Sequence, residues 1–420
     1  KAEEQNNSET NTESEQVKSN SNMTDIDNDK HTVHAYDTFD DMNLNMKLLR
    51  GIYAFGFEKP SAIQCKSLHP MITSGRDIIA QAQSGTGKTG AFTTGVLQIL
   101  SNIGYKSKDN KVTSAIILAP THELAKQTKD VLEKIGRFMK ITVQLLVGGT
   151  SVENDKKNLT ENTPHIVVGT PGRIHDMLRR KYLNANNFKV LVIDEADEML
   201  SSGFKEQMYK IFQFVPNNMQ IGLFSATMPS DLQELTNKFM VDPIKILVKA
   251  DQLTLQGIAQ YFINIEDDVG KYETIKDLFS SLSIAQAIIY CNSTRRVDDL
   301  CEAMISDQFP VKKIHGRMGE DERKATFSEF KSGSCRVLIT SDLFARGIDV
   351  QQVSIVINFD VPKSEHTYLH RIGRSGRWGR KGIAINFTCK HDITRLKKFE
   401  EYYQTQIVEM PNNYTEHLNL

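Results

Sequence analysis

The sequence predicts an α/β protein of two domains, each a parallel β-sheet flanked by helices, joined by a short linker. Residues 190–193 form an apolar run without alternation, typical of a strand buried on both faces, as in a parallel sheet. A second alternation of strands and helices begins at Ile258, after the segment 247–257, which has no apolar period. The length of 420 residues also exceeds that of a usual single core.

The end of the predicted strand carries acidic side chains. Asp194, Glu195 and Asp197 follow the apolar run directly. Because ligands in open α/β sheets bind outside the carboxyl ends of the strands, we expect these acids to face a ligand or a cation. An acidic cluster alone is more often a solvated helix face. The hypothesis of a ligand site therefore requires a second motif that binds phosphate.

Residues 82–89, AQSGTGKT, provide such a motif. They follow the apolar stretch 77–80 and precede a helix-compatible run at 90–100. Glycines let backbone amides approach phosphates, Lys88 reaches the terminal phosphates, and the Thr89 hydroxyl can hold Mg²⁺. The predicted phosphate-binding residues are Ser84, Gly85, Thr86, Gly87, Lys88 and Thr89.

Together the two motifs predict in-line phosphoryl transfer. Asp194 is expected to orient the hydrated Mg²⁺, and Glu195 to position or deprotonate the attacking water. A glycine-rich loop is often only a turn, but the order of strand, loop, helix and acid-tipped strand argues against that interpretation here.

An upstream segment predicts the base of the nucleotide. GFEKPSAIQ, at residues 56–64, lies just before the phosphate loop, although by itself Pro60 would only mark the start of a helix. In this position Gln64 can pair with the amino group and a ring nitrogen of adenine. Phe57 can stack on the same base. The predicted substrate is therefore ATP.

Composition restricts the class of protein. The five Cys lack CxxC spacing, which argues against a zinc site or a disulfide framework and for a reducing compartment. No apolar run is long enough to span a membrane, so we expect a cytoplasmic protein, with the nucleus as the alternative. Residues 1–33 hold eight acidic residues and three Lys, a net charge of −5, which leaves +4 on the rest of a chain whose total is −1. This segment is poor in aromatic residues, so we expect a disordered acidic tail.

Further motifs establish a resemblance to a known family. In chain order they are PTHELA from Pro120, GG at 148–149, TPGR from Thr170, SAT from Ser225, ARGID at 345–349 and HRIGRSGR at 370–377. With GFEKPSAIQ, AQSGTGKT and DEAD, they resemble the motifs of the DEAD-box RNA helicases, most of all the initiation factor 4A subfamily. The resemblance implies RecA-like domains at 34–246 and 258–420, with the linker at 247–257.

The resemblance also implies residue roles. The positions matching RNA-backbone contacts are Pro120, Thr121, Gly148, Gly149, Thr170, Pro171, Gly172 and Arg173. Those matching the residues that couple hydrolysis to strand separation are Ser225, Ala226, Thr227 and His370. Arg374 and Arg377 match the arginine fingers of the family. Asp342 and Asp349 match positions linked to the ribose and to contacts between the domains.

The activity implied is that of an ATP-dependent RNA helicase, or RNA-stimulated ATPase, that closes two domains around ATP, Mg²⁺ and RNA without reading RNA sequence. A role in translation initiation, a monomeric state and a HEAT-repeat scaffold protein as candidate partner follow from the same resemblance. One alternative is an RNA clamp that stays closed under partner control, like the exon-junction paralogue. A DNA translocase is disfavoured by the adenine-reading segment and the DEAD sequence.

Four positions depart from the family pattern. His122 stands where Arg is usual, Arg317 where Asp is usual, Glu320 where Gln is common, and Trp378 where Phe or Tyr is expected. None of them removes a catalytic group. Because His titrates near neutrality, we expect an RNA-phosphate or interdomain contact at His122 to be weaker or pH-dependent. The departures therefore concern RNA affinity more than ATP hydrolysis.

Overall fold

The computed structural model describes residues 36–82, 85–105, 112–201, 203–247, 257–281, 285–342, 353–375 and 382–411. Two separate parallel sheets flanked by helices make up this part of the chain, which confirms the predicted fold class. The predicted acidic tail and most of the predicted linker lie outside the described residues. None of the described helices combines the length and apolar character needed to cross a membrane.

The first sheet has the spatial order β3-β4-β2-β5-β6-β1-β7, with every neighbouring pair parallel. Its strands are β1 (Ile78–Gln81), β2 (Ala115–Leu118), β3 (Val143–Leu146), β4 (Ile166–Gly169), β5 (Val190–Asp194), β6 (Gln220–Ser225) and β7 (Ile244–Leu247). The accompanying helices are α1 (Met46–Phe55), α2 (Ala62–Thr73), α3 (Lys88–Asn102), α4 (His122–Ile135), α5 (Val152–Glu161), α6 (Pro171–Arg179), α7 (Ala196–Ser201), α8 (Lys205–Phe212) and α9 (Ser230–Phe239).

Strand β5 lies at the centre of this sheet and is buried along its whole length. Successive side chains of a strand point to opposite faces. Val190 and Val192 accordingly join the apolar cluster on one face, and Leu191 and Ile193 join the cluster on the other. Helices cover both faces, so an apolar side chain is favourable at every position, and this explains the run without alternation.

The second sheet has the order β10-β11-β9-β12-β13-β8-β14 and is also parallel throughout. Its strands are β8 (Ile258–Asn264), β9 (Ala287–Tyr290), β10 (Val311–Ile314), β11 (Val337–Thr340), β12 (Ile355–Asn358), β13 (Gly382–Thr388) and β14 (Val408–Glu409). The helices here are α10 (Asp268–Ser281), α11 (Thr294–Ser306), α12 (Glu320–Ser332), α13 (Glu365–Ile372) and α14 (Lys390–Tyr403).

Two strands of the first sheet lack a clear sequence signal. Strand β3 is an edge strand with the sequence VQLL, so its apolar run is short. Strand β7, at the other edge, extends to Leu247, one residue past the predicted end of the first domain.

Strand β8, in the second sheet, begins at Ile258, the residue at which the second alternation of strands and helices was predicted to begin.

Candidate active site

The loop between β1 and α3 has the geometry of a phosphate-binding loop. Gly85 and Gly87 adopt φ angles of 84° and 100°, a region that favours glycine. Lys88 and Thr89 are the first two residues of α3. The first amides of a helix have no partner within it, so the loop and this helix end can together hold an anion. Ser84, also predicted to bind phosphate, lies outside the described residues.

Lys88 is buried at the start of this helix, only 5% exposed. Its Nζ lies 3.3 Å from Glu195 Oε1 but satisfies the geometry of a hydrogen bond with none of the described residues. A buried ammonium without hydrogen bonds is costly, so its position fits a site completed by a polyanionic ligand. A nucleotide triphosphate supplies such oxygens.

Gln64 and Phe57 pack directly against the phosphate loop. Gln64 Oε1 accepts a hydrogen bond from Ser61 N at 2.9 Å, and its Nε2 donates to Gly87 O at 3.2 Å. A β-carbon on Gly90 would lie 2.5 Å from Gln64 Nε2 and 2.9 Å from Phe57 Cε2. The amide therefore positions the loop while keeping one N–H and one lone pair, which an adenine can use.

The acidic end of β5 faces the same loop. Asp194 Oδ1 accepts a hydrogen bond from Glu195 N at 3.0 Å. Burial, and next the neighbouring Glu195 carboxylate, raise the pKa of Asp194 to about 7, against the opposing effect of Lys88. Glu195 has a φ of 47°, an unusual conformation for a residue other than glycine. This turn from β5 into α7 aims its carboxylate at Lys88.

Asp197 is the centre of a hydrogen-bond network that connects the two sheets. Thr227 Oγ1 donates to Asp197 Oδ2 at 2.6 Å, and Asp197 N donates to Ser225 Oγ at 3.3 Å. Ser225 Oγ in turn donates to Thr227 O at 2.8 Å. His370 Nε2, on α13 beside the second sheet, lies 3.1 Å from the same Asp197 Oδ2. The structure thus brings three of the predicted coupling residues together around an aspartate for which the sequence had suggested no such role.

The fourth predicted coupling residue, Ala226, contributes its backbone. Its carbonyl accepts a hydrogen bond from Gln81 Nε2 at 3.2 Å, and Ala82 N donates to Ser225 O at 3.0 Å. The Ser225–Thr227 segment is therefore bonded to the strand that leads into the phosphate loop.

Of the two predicted arginine fingers, Arg374 is described and Arg377 lies outside the described residues. Arg374 is buried, and its Nε donates to His370 O at 3.1 Å. The end of α13 and the arginine-rich turn that follows it, residues 370–374, therefore supply both the histidine of the network and the candidate arginine finger.

Arg371 holds a predicted nucleotide-binding residue in place. Its fully buried guanidinium donates through Nε to Asp342 Oδ1 at 2.5 Å and through Nη2 to Asn292 Oδ1 at 2.7 Å. Nη1 donates to Asp360 O at 2.7 Å. Asp342 remains partly exposed, so it can reach a ligand. Asp349, its predicted partner in contacting ribose, lies outside the described residues.

The predicted RNA-backbone residues form loops at the carboxyl ends of β2, β3 and β4. Gly149 has a φ of 81°, Pro171 begins α6, and a β-carbon on Gly172 would meet open space. Thr121 precedes α4, and its Oγ1 accepts from Leu124 N at 3.2 Å. A β-carbon on Gly148 would lie 3.4 Å from His122 Nε2. Pro120 and Thr170 complete these loops.

Arg173, predicted to contact the RNA backbone, is bonded within the first domain. Its Nη1 donates to Asp155 Oδ2 and, at 2.9 Å, to Thr150 Oγ1, while Nη2 donates to Thr150 O at 2.8 Å. Burial raises the pKa of Asp155, and Arg173 partly reverses this effect. These contacts support the loop that follows Gly149 rather than leaving the guanidinium directed at solvent.

A second contact between the sheets lies beside the RNA loops. Arg323 Nη2, on α12, is 3.8 Å from Glu123 Oε1, on α4. Glu123 follows Thr121 and His122 directly, so α12 adjoins the predicted RNA surface of the first domain.

Two sets of residues offer ligands to a cation. Glu195, Asp197 and His370 place one potential ligand atom each within 4.8 Å of one another. Asp197 and His370, however, already bond to each other, and Asp197 also bonds to Thr227. Asp194 and the Thr89 hydroxyl offer oxygen ligands, which Mg²⁺ prefers. The buried carboxyl groups of Asp194 and Glu195 lie beside the Lys88 ammonium. An additional cation on this side of the phosphate loop would therefore offset their negative charge.

Comparisons with known proteins agree with this site. Residues 61–235 match the family model for the DEAD/DEAH box helicase, and residues 270–379 match the model for the helicase conserved C-terminal domain. The chain is 49% identical over 405 residues to eukaryotic initiation factor 4A of Caenorhabditis elegans, covering 93% of this chain and 99% of that protein.

Two further relatives support the same assignment. The ATP-dependent RNA helicase eIF4A of Pyricularia oryzae is 53% identical over 378 residues, which cover 90% of this chain and 93% of that protein. The solved structure of S. cerevisiae Dbp5 bound to RNA and ADP BeF3 has a TM-score of 0.81 and 33% identity, covering 89% of this chain and 95% of that chain. The chain therefore belongs to the DEAD/DEAH box helicase family, and its activity is that of an ATP-dependent RNA helicase.

Proposed function

We propose that this helicase acts in translation initiation, where it uses ATP to open short RNA duplexes by closing its two domains on one strand. The proposal is supported by relatives about half identical over nine-tenths of the chain, which are named initiation factor 4A. The structural observation that carries it is the buried Asp197–His370 contact, because it connects the acidic end of β5 to the arginine-rich turn of the second domain.

ATP would bind with its phosphates on the loop at residues 85–87 and its adenine against Gln64 and Phe57. Gln64 offers a donor and an acceptor suited to adenine, as an amide does. Lys88 would then exchange its contact with Glu195 for the terminal phosphates, since a polyanion attracts the buried ammonium more strongly than one carboxylate. Glu195 is thereby released to receive a proton from the attacking water.

Asp194 and Thr89 would hold Mg²⁺ when it is bound, the aspartate through a metal-bound water, and the ion would offset the negative charge of the phosphates. Burial raises the pKa of Asp194 in the structure, and a bound cation would act in the opposite direction, because a cation nearby favours the ionised carboxylate. Arg374 would stabilise the charge on the transferred group from the second domain, as Arg377 is also expected to do.

RNA would bind across the loops that contain Thr121, Gly149 and Gly172. Hydroxyls, exposed amides and a helix start suit phosphate and sugar, so we expect little preference for base sequence. RNA can stimulate hydrolysis only if it binds the closed arrangement more tightly than the open one. Closure around one strand would bend it and locally open a duplex.

Further elements of the proposal concern the cellular setting. We propose that the chain works as a monomer in the cytoplasm and that a HEAT-repeat scaffold protein is its partner, as the resemblance to initiation factor 4A implies. The RNA-clamp alternative predicts that the protein stays closed under partner control, so that RNA is retained after ATP is added in the presence of cellular extract.

Two measurements test the function. A duplex-unwinding assay with ATP should show strand release. RNA should stimulate ATP hydrolysis more than matched DNA does, and in the presence of RNA the hydrolysis of ATP should be faster than that of GTP. Adding the protein to a translation extract depleted of its own initiation helicase should restore synthesis. Unwinding without restored translation would contradict the initiation role, while RNA retention without strand release would favour the clamp.

A further inference from the structure

We propose that Arg317 contacts the phosphate backbone of bound RNA from the second domain. This inference rests on the proposed function, and it assigns an additional binding residue to the same RNA path. Its basis is the anchoring of the Arg317 backbone, the lack of an acidic partner for its guanidinium, and its position next to the RNA loops of the first domain.

The backbone of Arg317 is fixed by a buried histidine. Arg317 N donates to His315 Nδ1 at 3.3 Å, and His315 Nε2 lies 3.0 Å from Asp298 Oδ1. His315 itself is only 4% exposed. Met318 N closes a turn by donating to His315 O at 3.2 Å. The loop at residues 315–319, between β10 and α12, therefore presents Arg317 from a rigid support.

The side chain of Arg317 is exposed and lacks an ionic partner. Its Nη2 donates to Thr294 Oγ1, and within the described part of the chain no acidic side chain pairs with it. By contrast, Arg296 pairs with Asp268 and Asp360. A guanidinium has five N–H donors, so Arg317 retains most of its capacity for a ligand. Phosphate is the ligand that such a planar donor group binds best.

Arg317 lies close to the predicted RNA surface of the first domain. Arg323, six residues farther along, pairs with Glu123 of α4, as described above. The three Cα–Cα steps from Arg317 to the start of α12 and the first helical turn can span about 15 Å at most. Within this span, the proposal places Arg317 at the edge of the surface formed by the loops of Thr121 and Gly148. A strand leaving those loops toward the second sheet would pass within reach of its side chain.

Charge on the two sides of the proposed RNA path supports the assignment. On the first domain, position 122 carries a histidine that adjoins Gly148, in place of a permanent cation. On the second domain, position 317 carries an exposed permanent cation. An acid there would repel the RNA backbone, whereas Arg317 attracts it. Arg317 would therefore add a permanent cation on the second-domain side of the proposed RNA path.

The test measures RNA affinity at several salt concentrations, using the full chain, a single-stranded RNA and ADP with beryllium fluoride. Arg317→Ala is expected to weaken binding about tenfold, the effect of one charge-assisted hydrogen bond. The slope of log K against log salt should become shallower by about 0.7, as for one lost phosphate contact on a single strand. Arg317→Lys keeps the charge and should keep the slope.

Arg336→Ala is the matched control, because Arg336 is also exposed but precedes β11. It therefore lies at the amino ends of these parallel strands, whereas Arg317 follows the carboxyl end of β10. Arg336→Ala should leave both affinity and slope unchanged. An Arg317→Ala protein with the affinity and slope of the unaltered chain would overturn this inference while leaving the helicase function in place. Failure of the unaltered chain to bind RNA would overturn both the inference and the proposed function.

Discussion

His370 Nε2 and Asp197 Oδ2 lie 3.1 Å apart, both side chains are buried, and the contact joins the two sheets of the molecule. We predict that His370→Ala and Asp197→Asn each reduce RNA-stimulated ATP hydrolysis, and that the double variant is little worse than either one. In a double-mutant cycle on RNA affinity with bound nucleotide, the coupling energy should be about 1 to 3 kcal/mol. Additive losses would show that the contact does not couple the domains.

Lys88→Ala should strongly weaken ATP binding, because the loop loses the buried cation directed at the terminal phosphates. The measurement is nucleotide affinity by titration calorimetry. Lys129→Ala provides a control, since Lys129 forms an exposed pair with Glu133 on α4. Unchanged ATP affinity in Lys88→Ala would refute the assignment of the phosphate loop.

Glu195→Gln should keep ATP binding and stop turnover. The amide preserves the shape of the side chain but cannot accept a proton, and loss of general-base catalysis costs about 10² to 10⁴ in rate. Single-turnover hydrolysis with RNA present measures this step directly. Normal hydrolysis by this variant would remove Glu195 from the mechanism.

Arg374→Ala should abolish stimulation by RNA while ATP remains bound, because arginine fingers contribute about 10³ to 10⁵ to the rate of phosphoryl transfer. Hydrolysis with and without RNA, together with nucleotide affinity, separates this effect from a loss of binding. Arg395→Ala, on α14 and partly exposed, is the control that should retain stimulation. Full stimulation in Arg374→Ala would contradict the two-domain mechanism.

Arg173→Ala should destabilise the first domain by about 3 to 5 kcal/mol, because it leaves the Asp155 carboxylate buried and unpaired. Without Arg173 the pKa of Asp155 rises further in the folded state. A carboxyl group whose folded pKa is raised contributes stability that is lost as pH increases, so the deficit should be larger at about pH 8 than at about pH 5. Chemical unfolding at both pH values measures it.

Substituting Arg173 and Asp155 together distinguishes a direct role of Arg173 in RNA binding from an indirect one. Replacing both partners, Arg173→Met with Asp155→Leu, removes the buried charges together and should restore much of the stability. If Arg173 only positions the loop after Gly149, RNA affinity should recover as well. RNA affinity that stays low in a stable double variant would show that the guanidinium binds phosphate itself.

The sequence was sufficient for the elements whose cause is local. The apolar run of β5 and the glycines before α3 each carry their structural reason within a few residues, so their positions were predictable. Edge strand β3 was not, because three of its four residues are only half-buried and its short sequence, VQLL, has a weak apolar pattern.

Contacts between distant residues account for what the sequence could not indicate. The role of Asp197 depends on His370, 173 positions away. Arg371 and Arg374 belong to the same basic run of the sequence. The sequence does not indicate that the Arg371 guanidinium is enclosed by Asn292, Asp342 and Asp360. The sequence likewise gave no sign that Arg173, which stays a predicted RNA-backbone residue, is bonded to Asp155 and Thr150.

The backbone of Glu195 is left-handed, with a φ of 47°. At this residue the requirement for a catalytic carboxylate conflicts with the requirement for stability. A side chain other than glycine in that region costs about 1 to 2 kcal/mol, and Asn or Gly would reduce the cost. Selection for thermal resistance alone would therefore favour Gly or Asn at this position, and every such gain would remove the carboxylate beside Lys88. Catalytic turnover and maximal heat tolerance are thus incompatible at this single residue.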